Sequence, residues 1–199
     1  MRIFKFLILG LMALTLAGCG INNIPTYDQA MKGRWGDVQT QYQRRADLVP
    51  NLVETVKGYA AQEKDVLTAV VEARAKATSI QIPADILTNP EEFAKYQAAQ
   101  GQLSQALGKL LSITENYPDL KSNANFLALQ SQLEGTENRI AVARKDYVEA
   151  VQTYNTELVT FPGRIWASTL YSSYKPAASF AADPGADQAP KVDFNKPKT

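Results

Sequence analysis

From Tyr117 to Pro162, large apolar residues return every seventh position: Phe126, Leu133, Ile140, Tyr147, Tyr154 and Phe161. Three places after the first five stand Leu129, Thr136, Ala143, Ala150 and Glu157, which are mostly small. Large residues on one row beside small ones on the next form the apolar seam of one long helix. At ~1.5 Å per residue, about 40 residues make a rod of roughly 60 Å. Such a rod needs partner helices to cover its seam, and Phe161-Pro162-Gly163 stops it.

A second seven-residue pattern precedes it. Thr26-Tyr27-Asp28-Gln29 fits a capping box, with Thr26 as N-cap. Trp35, Tyr42, Val49, Val56 and Val70 make one row, and Val38, Arg45, Leu52, Tyr59, Val66 and Ala73 its companion. The pattern predicts one helix to about Ala77, kinked or broken at Pro50, which lacks an N–H and clashes with the carbonyl of residue 46. From Ser79 to Asn89 the period is lost, and Pro83 and Pro90 mark a loop. Asn89-Pro90-Glu91-Glu92 starts the next helix, with Asn89 as N-cap. Phe93, Tyr96, Gln100, Leu103, Leu107, Leu110 and Thr114 mark its inner face. Gly101 and Gly108 beside that face are expected to let a neighbouring helix approach closely.

Glu115 to Leu120 is a turn, with Asn116 or Asp119 capping the central rod, so helices two and three should be antiparallel neighbours. Arg164 to Tyr174 reads as a short fourth helix. From Pro176 onward Ala, Pro, Asp and Lys dominate, which predicts a mostly disordered tail in which Phe180 still touches the bundle. The fold class is therefore all-α: an elongated antiparallel bundle of three long helices plus a short fourth over 26–175, followed by the tail 176–199.

The amino terminus adds an attachment. Arg2 and Lys5 lead into an apolar run from Phe6 to Leu16, ending at Leu16-Ala17-Gly18-Cys19. This is an export signal, too short for the ~20 apolar residues of a membrane span. Leu-Ala-Gly-Cys resembles the lipobox of bacterial lipoproteins, in which the signal is cut before the cysteine and its thiol carries diacylglycerol. Residues 1–18 are then a lipoprotein signal peptide and Cys19 the lipidation site. Residues 19–25 would be a lipidated tether that keeps the bundle close to the membrane. An ordinary signal with a coincidental cysteine is the alternative. By the same resemblance, Gly20 after the cysteine leans toward outer-membrane rather than inner-membrane sorting.

Composition narrows the chemistry. The chain has no histidine and a single cysteine, Cys19. Imidazole bases, Ser–His and Cys–His pairs, His/Cys metal clusters and internal disulfides are thereby excluded. Loss of residues 1–18 takes two of the 21 basic residues, leaving 19 against 20 acids, a net charge of −1. That balance does not fit nucleic acid as a partner. No cofactor or metal is expected. The one unusual polar feature is Arg45 on an apolar row beside Pro50. Geometry drawn from helix lengths places the Glu115–Tyr117 turn near it, which predicts a polar cluster of Arg45, Asp47, Asn51, Glu115 and Tyr117. Its expected role is structural, satisfying backbone freed by Pro50; a ligand site is the alternative.

Together these segments resemble the LemA family of bacterial membrane-associated proteins. The resemblance rests on Arg44-Arg45-Ala46-Asp47-Leu48-Val49-Pro50-Asn51-Leu52-Val53, Ala73-Arg74-Ala75 and Glu115-Asn116-Tyr117-Pro118-Asp119-Leu120-Lys121. It continues through Phe126 to Gln130, Glu137 to Ala141, Ala143 to Tyr147, Tyr154-Asn155 and Phe161-Pro162. The chain departs from the family pattern at Val148, where asparagine is common, and in its lipid-type anchor where many relatives carry a transmembrane helix. The resemblance implies a helical bundle outside the cytoplasmic membrane and implies no activity.

The expected function is a non-catalytic, membrane-tethered scaffold or interaction module of the bacterial envelope, working with unidentified envelope proteins. One alternative is a homo-oligomer that shapes membrane, which an uncovered apolar stripe between Tyr27 and Val49 would favour. A second is a carboxylate enzyme using two of Asp47, Glu115 and Glu137.

Overall fold

The structure, a computed structural model, describes residues 20–181. The signal 1–18, Cys19 and residues 182–199 lie outside the described residues. The elements are α1 (Asn23–Lys57), α2 (Lys64–Ser79), a 3-10 turn (Ile86–Thr88), α3 (Pro90–Thr114), the single turn α4 (Pro118–Lys121), α5 (Ala124–Val159) and α6 (Gly163–Thr169). The fold is all-α, with no strand among the described residues.

α1 and α5, with 35 and 36 residues, lie antiparallel over most of their length. At one end the Asn23 amide donates to Glu157 Oε1 at 3.2 Å; at the other, Asn123 donates to the Tyr59 hydroxyl at 2.8 Å. The rod between them is roughly 50 Å long. The first end carries the amino terminus of α1 and is called proximal below; the Tyr59 end is distal.

The first helix does not run on to Ala77. It ends at Lys57, and after a turn at 58–63 α2 folds back along it. The seven-residue pattern concealed this break, because Val56 and Val70, two repeats apart, are both buried in the same core. Pro50, expected to kink or break the helix, lies within α1 on its exposed side. A proline at 50 offers no N–H to the carbonyl of Ala46. Arg74 from α2 fills that place, donating from Nε to Ala46 O at 2.8 Å.

Because α2 reverses the chain, α3 runs parallel to α1 rather than antiparallel. Phe93 stands beside Trp35, Gln100 beside Arg45, and Tyr117 beyond the end of α1 beside Glu63. α3 packs along α2, and α5 along α1. α3 and α5 do run in opposite directions, but they meet through large side chains such as Phe93 and Tyr147, whose rings stack at 6.0 Å. Gly101 and Gly108 do not mark a close helix approach, since a Cβ on either would meet nothing within 4 Å.

Helix starts follow local chemistry. Asn89 caps α3, accepting from Glu92 N at 3.3 Å with Pro90 in the first turn. The cap of α5 is Asn123, accepting from Phe126 N at 3.0 Å, rather than Asn116 or Asp119. α1 starts three residues before Thr26, with Asn22 at the cap position. Ile24 is the reason: it lies seven before Met31 and fourteen before Val38, and all three are buried. The expected tether through Pro25 is thus taken into the bundle.

The core has two halves. The proximal half is aromatic, built on Trp35, Tyr42, Phe93, Tyr96, Tyr147 and Tyr154. The distal half is aliphatic, with Val49, Leu52, Val56, Val70, Leu103, Leu107 and Leu110 among its members. The α1 stripe from Met31 to Val49 is covered within the chain, so it does not support the homo-oligomer alternative.

Residues 176–181, expected to open a disordered tail, form an extended strap on the proximal core. Hydroxyls of Tyr154 and Tyr147 donate to Lys175 O and Ala178 O at 3.0 and 2.8 Å. The Asn155 amide bonds both backbone groups of Ala177, and Ala178 N donates to Leu87 O. Phe180 fills the aromatic core against Trp35, Phe93 and Tyr147. Side chains of the bundle thus satisfy a backbone that forms no helix of its own.

Candidate functional site

The polar centre of the molecule lies where the two halves of the core meet. Arg45 is only 1% exposed and belongs to neither apolar cluster. Position 45 falls on the same inner face as Val38 and Leu52, so α1 itself drives the guanidinium into the bundle. There Nη1 donates to Ser104 Oγ at 2.5 Å and to Glu137 Oε1 at 3.0 Å. Nη2 donates to the Gln100 side-chain and main-chain oxygens at 2.7 and 3.1 Å. Gln100 in turn donates to Ala77 O at 3.3 Å. The Tyr42 ring lies 5.1 Å from the guanidinium carbon, within cation–π range.

One side chain therefore joins α1, α3 and α5, and through Gln100 the end of α2. Charge-assisted donors of this kind are stronger than neutral ones. Glu137, at 39% exposure, keeps part of its hydration while neutralising the buried cation. Burial pushes the Tyr42 and Tyr96 phenols up, Tyr96 to about 12; the Arg144 and Arg45 charges oppose the rise at Tyr42. Both phenols therefore stay neutral beside Arg45 at ordinary pH.

The five residues expected to cluster fall into three places. Arg45 forms the buried layer. Asp47 and Asn51 lie exposed on the outer side of α1, where Asp47 accepts from Gln43 at 2.7 Å and the Asn51 carbonyl from Thr55 at 2.7 Å. Glu115 is exposed at the end of α3. Tyr117 donates to Glu63 Oε1 at 2.7 Å and accepts from Gln62 at 3.0 Å; the Glu63 carboxylate raises the phenol's pKa. The chain reversal at Gly58 is the cause, because it carries the Glu115–Tyr117 turn past Pro50 to the distal end.

The true partners, Gln100, Ser104 and Glu137, had one sequence signal. Gln100 interrupts the apolar face of α3 as Arg45 interrupts that of α1, and two polar intrusions on facing rows complement each other. Glu137 was hidden among alternating charges that otherwise face solvent.

Two hollows adjoin this layer. A recess of about 160 Å³ is lined by Arg45, Gln97, Gln100, Ser104, Glu137 and Arg144. An open groove of about 700 Å³ lies between α1 and the segment after α2, with Gln43, Asp47, Ile80 and Tyr96 on its walls. Asp47, Glu115 and Glu137 do not converge on one hollow: Asp47 faces the groove, Glu137 the recess, and Glu115 lines neither. Among the described residues no three potential metal ligands gather in one place. No described helix is long and apolar enough to cross a membrane.

Two magnetosome proteins of Paramagnetospirillum magneticum (strain ATCC 700264 / AMB-1), MamQ 1 and MamQ 2, are each 25% identical over 182 residues, covering 83% of this chain and 66% of theirs. Protein LemA of Metamycoplasma hominis is 23% identical over 124 residues, covering 62% of this chain and 52% of its own. The chain thus spans less than two thirds of the length of these relatives. The sequence profile of the LemA family matches residues 34–194, which take in the Arg45 layer, the Arg74–Ala46 hydrogen bond, the whole of α5 and the strap, and the chain belongs to the LemA family.

Proposed function

We propose that this protein is a non-catalytic helical scaffold of the bacterial envelope, membrane-associated and held there through a lipid on Cys19, with its bundle outside the cytoplasm. The observation that carries the scaffold reading is the Arg45 layer. Its two terminal nitrogens are engaged by Ser104, Gln100 and Glu137, so the most polar interior group holds helices in register. Membrane association is supported by family membership and by magnetosome proteins among the relatives. The export signal and Leu-Ala-Gly-Cys sequence support the anchor.

A rod of roughly 50 Å offers long side faces for partners. Leu127 and Val142 stand exposed on α5. The test is photo-crosslinking in intact envelopes from probes at these two positions. A scaffold gives one discrete adduct with the same envelope protein from both. Recovery of the uncrosslinked chain alone overturns the scaffold reading, and a self-adduct assigns the homo-oligomeric alternative instead.

A further inference from the structure

We propose that the proximal end of the bundle is a lipid-facing cap, in which Val159, Phe161, Ile165 and Leu170 enter the membrane interface with Arg164 at headgroup level. The proposal rests on the membrane-anchored reading above and adds the orientation of the bundle on that surface.

The first observation is where apolar surface is left bare. Among the described residues nine large hydrophobic side chains are exposed, and four of them fall in the single stretch 159–170. Phe161 is 83% exposed. It belongs by period to the row whose other members, Phe126, Leu133, Ile140, Tyr147 and Tyr154, are all buried. α5 ends at Val159, two residues short of it, and α6 starts at Gly163 packed so tightly on the Glu157 carbonyl that a Cβ there would collide. The chain between them leaves the ring outside the core. A bare phenylalanine with bare aliphatic neighbours marks an interaction surface more often than a scattered single residue does.

The second observation is the attachment point. Gly20 packs at this same corner, where a Cβ on it would stand 3.5 Å from Pro162. Asn23 is fixed to Glu157 and Ile24 is buried. Among the described residues no free spacer therefore separates the bundle from residue 20, the neighbour of Cys19. One residue spans at most ~3.4 Å, so any lipid carried at position 19 enters the bilayer beside Phe161 rather than at the distal end.

The third observation is the chemistry of the border. Arg164 is exposed between Phe161 and Ile165, suited to anionic headgroups. Tyr171 and Tyr174 lie half-buried just behind. Aromatic rings with a polar edge favour the interface between headgroups and acyl chains. An apolar tip, a cation and such aromatics suit a shallow insertion of about 5–10 Å.

The test uses the full chain reconstituted in phosphatidylethanolamine vesicles containing phosphatidylglycerol. Spin labels are placed at exposed sites beside the cap, Thr160→Cys and Ser168→Cys, and at the distal end, Ser122→Cys. The parent chain is labelled in parallel to report any signal from Cys19. Collision with oxygen, which concentrates in lipid, is compared with collision with a water-soluble nickel chelate. The expected result is a ratio several-fold higher at 160 and 168 than at 122, falling to the distal value in Phe161→Ser/Ile165→Ser while the protein still floats with vesicles. Those two side chains lie outside the core, so helicity by circular dichroism should be unchanged. Water-like ratios at all three sites in a chain that floats overturn the cap and leave the anchor standing. Shielding of 160 and 168 from both reagents means a protein covers the patch and also overturns it. A lipid-like ratio that survives the double substitution shows the tether acting alone, against the cap. Failure of the parent chain to float overturns the anchor and the cap together.

Discussion

Replacing Arg74 should cost stability in proportion to what Pro50 removes, and a double-mutant cycle isolates that dependence. Ala46 is buried, and its carbonyl receives Arg74 Nε at 2.8 Å where a helix would ordinarily supply the N–H of residue 50. Methionine at 74 keeps an apolar stem on α1 but offers no donor. A hydrogen bond from a charged group contributes ~1.5–3 kcal/mol, and a buried carbonyl left bare costs a similar amount. Arg74→Met should therefore destabilise the chain by about 2 kcal/mol, lowering the melting temperature by roughly 6 °C at this size. In a Pro50→Ala background the new N–H takes the carbonyl, and the same change should cost ~0.5 kcal/mol. The expected coupling is about 1.5 kcal/mol, well beyond the ~0.5 kcal/mol scatter of independent sites. Urea unfolding of the full chain in detergent micelles, followed by far-ultraviolet circular dichroism, measures all four corners. Equal costs of Arg74→Met in both backgrounds would refute the assignment of Arg74 as the substitute donor.

Alkaline pH should unfold the proximal half. Burial raises the phenols of Tyr96 and Tyr154 to about 12 and that of Tyr147 further still, against about 10 in an unfolded chain. The folded state holds these protons more tightly, so the stability they contribute is complete below pH ~10 and lost as pH rises through about 12. Tyrosinate absorbance recorded with circular dichroism checks this; titration of all nine tyrosines near 10 with helicity intact would contradict it. Phe180→Ala should destabilise by about 2 kcal/mol, as a half-buried ring leaves contacts with Trp35, Phe93 and Tyr147. Hydrogen exchange should rise at residues 177–181, and unchanged protection there would remove the strap's dependence on this ring. Gly108→Ala should stabilise by ~1 kcal/mol, because a Cβ at 108 meets nothing and alanine is the better helix former. A loss of stability would show that α3 has a neighbour at that point.

Much of the fold could be read from the chain, and the exceptions share a cause. Period seven identified buried residues well: of the six on the α5 row only Phe161 is exposed. Side-chain capping at Asn89 was equally readable, since its chemistry is local. Period carries no information about direction, however. Val56 and Val70 stay in phase across the turn at Gly58, so two helices read as one. Without that turn, α3 reads as antiparallel to α1 and the Glu115–Tyr117 turn falls level with Pro50 instead of at the distal end. Arg45 is legible as a polar intruder on its row, whereas its partners depend on helix direction, which the period does not carry. The strap was missed for a different reason. Its proline and alanines describe a segment that cannot hold itself in shape, whereas here Tyr147, Tyr154, Asn155 and Gln97 hold it from outside.

The position of Arg45 bears on why an interior charge is kept where an apolar residue would pack. A well-packed apolar replacement for a buried ion pair is often as stable or more so, so stability alone does not explain the arginine. Its partners give a better account. An aromatic half and an aliphatic half meet at this level, and apolar contacts alone would tolerate sliding of one helix past another. The guanidinium accepts no such slip. Moving α3 by one turn, about 5.4 Å, would take Gln100 and Ser104 from Nη2 and Nη1 together, and moving α5 would take Glu137. A buried cation without acceptors is penalised far more than a displaced leucine, so the layer raises the energy of every wrong register. The same fixed register brings Trp35, Phe93 and Tyr147 together at the proximal end, forming the site where Phe180 docks. The polar layer thus acts on the shape of the Phe180 docking site around Trp35, roughly 15 Å along α1 from the charge itself.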